Sequence, residues 1–327
     1  ICEMSIGLDG TRGKYKFYSG LINSKARLTY NEVEKHLNGS SKIKSPQVQS
    51  SIKSLKDLTN LRLKLRNQRQ ALEINPKEIT LDLNKNYEVK NIVVKKPLFA
   101  HKLVEESMLL ANESAAELMQ NRLNLGVYRI HEDPDPSKLE LLKKHFNVPA
   151  QIVKKLSPLE IINFCLEQAH KKNDGIGQIL VLQSLARAEY STNNLGHFGL
   201  QLKQYAHFTS PIRRYPDLLV HRLINSSLAQ KKTYPRQNEL QDECENSSML
   251  ERRAEKASRQ VEQVLICEYL KEKIGSTMHG VVTGVTDFGL FINLEPYFIS
   301  GLLHVSDLPD DHYYFCLLYT SDAADDQ

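Results

Sequence analysis

Apolar residues along this chain change period several times, and each change predicts a different kind of element. From Met4 to Leu21, β-branched and aromatic residues set between Gly7, Gly10 and Gly13 predict a pair of strands. Residues 27–36 then read as helix, and residues 40–49, rich in Ser, Lys and Pro, as a surface loop. Residues 51–72 form a basic amphipathic pattern whose charged side is read as a solvated face rather than a nucleic-acid path. A hairpin through Ile79, Leu81 and Val89 follows. Val104, Met108, Ala111, Ala115 and Leu118 alternate by four and three, which predicts a buried helical stripe with Glu105 and Asn112 sharing a face beside it. A long helical region is expected over residues 136–170, opened by Pro136 and Ser137 after an HEDPDP turn. Leu250, Ala254, Ala257, Val261 and Val264 predict another packed helix.

After Gly275 the pattern becomes short β-branched runs between glycine turns, the signal of a small antiparallel β module of which about three strands can be drawn before Phe315. The expected class is therefore α+β, with one large domain over residues 1–272 and a partial β-barrel over 273–315. Residues 316–327 are small and polar and read as a foreign or disordered tail. At the other end the sequence runs from Ile1 straight into strand-like text, which suggests entry in mid-domain.

Composition narrows the classes without choosing one. Apolar residues make up 41% and charged residues 25%, enough for a sizeable core, so disorder is not the default. A net charge of +4 is only a mild hint of a polyanionic partner. Cys2, Cys165, Cys244, Cys267 and Cys316 show neither disulfide-framework nor zinc spacing, so a reducing, cytoplasmic setting is expected. No apolar run approaches the roughly 18 residues of a membrane helix.

The sharpest feature is residues 205–223, YAHFTSPIRRYPDLLVHRL. Ser210 is a candidate N-cap with Pro211 at the first helical position, where its missing amide hydrogen costs nothing. Arg213 and Arg214 would fall in that first turn, and cations there oppose the helix dipole unless an anion such as a phosphate offsets them. Asp217 is expected to hold Arg213 as an i,i+4 pair. Tyr205, His207, Phe208 and Tyr215 offer flat faces on which bases could stack, with a capped helix and core aromatics as the plainer alternative.

This string resembles the signature of the ribonuclease II and ribonuclease R family, whose catalytic RNB domain carries the same HFTSPIRRYPDLLVHR pattern. FYSGLINSKARLTYNEV, HKLVEESMLLANESAAE, YRIHEDP, GHFGLQLKQY and ERRAEKASR agree with it, and the β module resembles the first strands of an S1-type OB domain, with LPDDHYYF typical of the ribonuclease R branch. The resemblance implies a 3′-to-5′ exoribonuclease, acting as a cytoplasmic monomer on the 3′ end of single-stranded RNA with two divalent ions, expected to be Mg2+. It implies that Arg213 is the catalytic arginine, that Tyr30 lies near the scissile nucleotide, and that Glu105 or Glu106 reads the ribose; the face shared with Asn112 prefers Glu105. His207, Thr209, Ser210, Arg214 and Tyr215 are further RNA-binding candidates, as are Phe288, Phe291 and His304 on the β module. The family's metal-binding aspartate cluster has no counterpart here and is expected upstream of Ile1; Asp133 and Asp135 read as turn formers. An RNA-binding protein without catalysis is the alternative.

Overall fold

The computed structural model describes residues 1–74, 79–95, 97–149, 151, 155–171, 175–230, 234–295, 297 and 299–309. Along the chain the elements are β1 (Cys2–Ile6), β2 (Arg12–Phe17), α1 (Tyr30–Leu37), α2 (Pro46–Gln68), β3 (Ile79–Leu83), β4 (Val89–Val94), α3 (Phe99–Leu118) and β5 (Tyr128–Ile130). They continue with α4 (Pro136–His145), α5 (Pro158–Lys171), α6 (Gly175–Ser184), β6 (Glu189–Ser191), α7 (Tyr215–Leu228), α8 (Gln237–Lys271), β7 (Gly280–Thr286), β8 (Gly289–Leu294) and β9 (Ile299–His304). The chain divides into two compact units that interleave in sequence: Ile1–Glu73, Pro97–Asp135 and Leu185–Ala254 make the first, and the remainder makes the second.

In the first unit β1 and β2 pair antiparallel, Met4 opposite Tyr15, as the alternation predicts. Their turn needs Gly10: its φ is +83°, and a Cβ there would come within 2.9 Å of Leu61. Arg12 ties the hairpin to α3 through an ion pair with Glu117. Helix α1 starts at a capping box in which Thr29 and Glu32 satisfy each other's backbone amides. Helix α2 starts at Ser45 with Pro46 in its first turn, so the last residues of the expected 40–49 loop are helical instead.

Helix α3 is the spine of this unit. Leu103, Leu110, Ala115, Ala116 and Leu118 are buried, and the core continues through Met119, Val127, Tyr128, Val220, Leu223 and Ile224. The stripe expected from sequence is therefore displaced: Val104 is 39% exposed, while Glu106 on another face has no exposed surface. With α1, α2 and α7 all against it, α3 is covered on more sides than one amphipathic stripe can describe. The charged side of α2 also departs from expectation, since Arg62 is buried and Arg66 nearly so, both against Glu106.

In the second unit β3 and β4 form the expected hairpin, with Leu81 opposite Ile92. The long helical region expected over residues 136–170 holds α4 and α5 among the described residues; α4 is closed off by Asn147 in the left-handed conformation. Strands β7, β8 and β9 form a three-stranded antiparallel meander, matching the number of strands drawn from the pattern. Leu250, Ala254, Ala257, Val261 and Val264 do lie on one helix, α8, but all are exposed, and the buried residues of α8 are Leu240, Cys244 and Ser248. The expectation of a packed stripe there is wrong for the described residues. Residues 310–327, including LPDDHYYF from Asp310 onward, Cys316 and the polar tail, lie outside the described residues. Among the described residues no helix is long and apolar enough to cross a membrane.

Candidate nucleotide-binding site

Within the first unit, Tyr30, His101, Val104, Glu105, Met108, Leu109, Asn112, Tyr205 and Arg214 line a cavity of about 250 Å³. The displaced α3 stripe explains its apolar wall, because Val104 and Met108 face this space rather than the core. Tyr30, at the first turn of α1, stacks on His101 with ring centroids 4.2 Å apart and planes tilted by 31°. His101 is itself held by the Leu98 amide, which donates to its Nδ1 at 3.1 Å. One face of the Tyr30 ring is thereby covered, and the side chain stays 46% exposed.

Glu105 and Asn112 both line the cavity, as their seven-residue spacing predicts. Arg66 donates to Glu105 Oε1 at 2.5 Å and to Glu106 Oε1 at 3.2 Å, and Lys102 lies 3.5 Å from Glu105 Oε2. Burial works against the Glu105 charge, but the Arg66 hydrogen bond and the two cations hold its carboxyl below the usual range. Glu106, the other candidate, is fully buried beneath, with Arg62 Nε 3.7 Å from its Oε2. Asn112 closes the floor: its amide donates to the Tyr205 hydroxyl at 2.9 Å and its oxygen accepts from the Phe208 amide at 2.9 Å.

The motif segment is built differently from its sequence reading. Ser210 is not the N-cap and Pro211 does not open the helix; α7 begins at Tyr215 behind Arg214, with Pro216 in the first turn. The Ser210 carbonyl instead accepts from the amides of Arg213 and Arg214, a turn that brings both arginines in front of the helix. Asp217 does not pair with Arg213. It is completely buried, and its Oδ1 accepts from the Ser210 amide at 2.7 Å and from Arg214 Nη2 at 2.8 Å. Arg213 is exposed and makes no ion pair with a described residue.

The remaining candidates scatter. Tyr205 is buried, and Phe208 packs edge-on against Phe17 and face-on against His221, so both are core aromatics rather than open stacking platforms. Thr209 holds its hydroxyl away from solvent, while Tyr215 is exposed with the Arg222 guanidinium 6.0 Å from its ring. In the second unit Phe288 and Phe291 meet edge to face at 6.1 Å, and His304 is exposed at the end of β9. His101, Arg66 and Lys102 were not singled out by sequence; a proline-led helix start before His101 and the acid pair at Glu105 and Glu106 were the signals within reach.

His207 lies behind the cavity wall. Burial, then the charges of Arg214 and Arg129, push its imidazole down to about 2, and burial with His131 pushes His197 down to about 3. Tyr190, pushed up to about 12 by burial, keeps its proton, and its hydroxyl lies 2.8 Å from His207 Nδ1, within hydrogen-bonding distance. A histidine depressed in the folded state binds fewer protons than in the unfolded chain, so its contribution to stability is full above the unfolded value near 6.5 and is lost as pH falls. Unfolding free energy is expected to drop between pH 6.5 and 5.5 with a slope of up to about 1.4 kcal/mol per pH unit for each such histidine. Denaturant titrations of His207→Gln should show a shallower slope, and an unchanged slope would remove His207 from the account.

Among the described residues no group of three or more His, Cys, Asp or Glu is placed to hold a metal ion. The described residues therefore do not fit a two-ion centre.

A hairpin, a helical spine and an arginine-bearing turn thus surround a pocket that joins a stacked tyrosine, a carboxylate and a guanidinium. The chain belongs to the RNB domain family, which matches residues 1–230, and an S1 RNA binding domain matches residues 271–316. Among curated relatives it is 35% identical over 333 residues to Ribonuclease R of Vibrio parahaemolyticus, covering 96% of this chain and 40% of that protein. It is 37% identical to Ribonuclease R of Thermotoga maritima, covering 96% and 46%. Mycoplasma genitalium RNase R in complex with ribose methylated single-stranded RNA superposes with a TM-score of 0.90 at 28% identity, covering 97% of this chain and 51% of that one. The chain thus spans about two fifths to one half of the length of these relatives.

Proposed function

We propose that this chain is the 3′-end-binding part of a ribonuclease R type exoribonuclease, which hydrolyses RNA from its 3′ end to 5′-mononucleotides. The observation that carries the reading is the Tyr30, Glu105 and Arg214 cavity in a chain of the RNB family. Tyr30, braced by His101, supplies a stacking face for a base. Glu105, kept ionised by Arg66, accepts a hydrogen bond from a ribose 2′-hydroxyl, the group that separates RNA from DNA. Arg214 is fixed by Asp217 with some donors left over, and Arg213, exposed and in no ion pair with a described residue, neutralises charge that develops on the phosphate during displacement. Glu106 has a structural role under this reading rather than a ribose-reading one. Residues 1–272 form the catalytic-domain portion and residues 273–315 an S1 portion, where Phe288, Phe291 and His304 contact RNA further along the strand.

Divalent ions, expected to be Mg2+, would supply activation of the attacking water and stabilisation of the leaving oxygen in this chemistry. Their ligands are not among the described residues of this chain. The protein works as a cytoplasmic monomer in this reading; the four described cysteines, none in a disulfide, support the reducing compartment.

Binding of fluorescent oligonucleotides to the chain tests the site. Tyr30→Ala should weaken RNA binding by about 1–3 kcal/mol, the range for one stacked base. Glu105→Ala should reduce the preference for a ribose over a deoxyribose 3′ end about tenfold or more, as expected for a hydrogen bond to a charged group. Equal affinity of the unaltered chain for RNA and DNA, together with no effect of Tyr30→Ala, would sink the assignment.

A further inference from the structure

Helix α3 begins without a side-chain cap, because Leu98 at its N-cap has no oxygen to offer. His101, three residues on, answers from the other direction. Its Nδ1 accepts from the Leu98 amide at 3.1 Å, the returning half of a capping box with an imidazole in place of the usual glutamate. An Nδ1 that accepts carries no hydrogen, so the ring proton is on Nε2, which points away from Leu98. The ring is held a second time by its stack on Tyr30. Helix α1, which carries Tyr30, is tied to the same helix start, where the Ala100 amide donates to Glu34 Oε2 at 2.9 Å. His101 Nε2 has no hydrogen-bond partner among the described residues, and the side chain lines the Tyr30 and Glu105 cavity. The start of α3 thus fixes a ring donor at this cavity for which no described residue supplies an acceptor.

Glu105 is one helical turn further along α3, on the face that His101 occupies. Side chains four apart on a helix have their Cβ atoms roughly 5–6 Å from each other, so an oxygen about 2.8 Å from each polar group fits between them. Arg66 and Lys102 occupy part of the Glu105 carboxylate, whose two oxygens keep lone pairs for one more donor. The two side chains therefore present one acceptor and one donor to whatever enters, and a hydroxyl is a group that answers both at once. We propose that His101 is a specificity-determining residue whose Nε2–H donates to the oxygen of the ribose 2′-hydroxyl while Glu105 accepts that hydroxyl's hydrogen. The inference rests on the proposed function for its ligand and adds the second half of the contact. With Glu105 alone, a water satisfies the carboxylate when a deoxyribose is bound. With His101 opposed to it, a deoxyribose leaves a donor and an acceptor without their shared partner, and the missing hydroxyl costs more.

The test measures fluorescence anisotropy of the chain with RNA oligonucleotides that differ only in a ribose or a deoxyribose at the 3′-terminal nucleotide. His101→Phe keeps a ring against Tyr30 and removes Nε2–H; circular dichroism checks that α3 tolerates the loss of the Leu98 contact. The variant is expected to lower the preference for the ribose end about threefold to tenfold, the range for one uncharged hydrogen bond, with affinity for the deoxyribose end unchanged. Loss of affinity for both ends by the same factor would make His101 only a support for Tyr30 and overturns the proposal. In the double variant with Glu105→Ala the two losses should not add, because both bear on one hydroxyl; strict additivity would place the contacts on different groups and also overturns it. Nitrogen-15 NMR of the unaltered chain gives a reading that needs no variant. His101 should show a protonated Nε2 and a bare Nδ1, with Nε2 shifting further on a ribose end than on a deoxyribose end; a protonated Nδ1, or equal shifts, counts against the donor. If the unaltered chain does not distinguish the two ends, the functional reading falls and this inference with it. If Glu105→Ala lowers the preference and His101→Phe does not, only this inference falls.

Discussion

Asp217→Ala should lower the unfolding free energy by about 3 kcal/mol and abolish binding at the cavity, because one buried carboxylate holds the whole arginine turn. Its Oδ1 takes the Ser210 amide and the Arg214 guanidinium together, with no exposed surface of its own. Removing it leaves a buried amide unpaired and a mostly buried cation uncompensated, and breaking such a pair costs about 3–5 kcal/mol. The lower end applies because the Arg214 side chain keeps 19% exposure. Denaturant melts of Asp217→Ala, Arg214→Ala and the double variant form the measurement. The double variant should recover part of the loss, since it removes the orphaned charge; strictly additive losses would show that the pair is not coupled.

Arg213→Ala should behave in the opposite way. Arg213 is exposed and makes no ion pair with a described residue, so the melting temperature is expected to stay put, while under the proposed function turnover of RNA falls about 10²–10³-fold and RNA affinity falls much less. Arg213→Lys should restore a small part, since an ammonium supplies charge without the two-pronged donor geometry. Loss of affinity and turnover in equal measure would reassign Arg213 to ground-state binding.

The motif was legible in sequence while its local geometry was not, and the reason is specific. Ser210 with Pro211 and Tyr215 with Pro216 both offer a proline at a plausible helix start, and local signals cannot rank them. The choice is made by Asp217, whose burial beneath Ser210 depends on packing that capping rules do not contain. Glu105 and Asn112 were correctly placed on one face because that is a matter of helical period alone. The burial of Arg62 and Arg66 was missed because their partner Glu106 lies about forty residues away in sequence. The α8 residues Leu250, Val261 and Val264 show the reverse error: period says that they share a face and says nothing about whether anything covers it. The hairpins and the three strands after Gly275 were readable because two-residue alternation and glycine turns are local rules.

Arg66 gives the cavity and the helix packing a common account. Its guanidinium is shared between Glu105, which faces the cavity, and Glu106, which is sealed in the contact of α2 with α3. A ligand that draws on Glu105 therefore changes the charge balance felt by Glu106, and free-energy linkage requires the reverse effect to be equal. Under the proposed function, temperature, salt or a core substitution that loosens α2 from α3 should therefore register as a change in ribose preference, making selectivity at this pocket in part a readout of how tightly two helices are clasped.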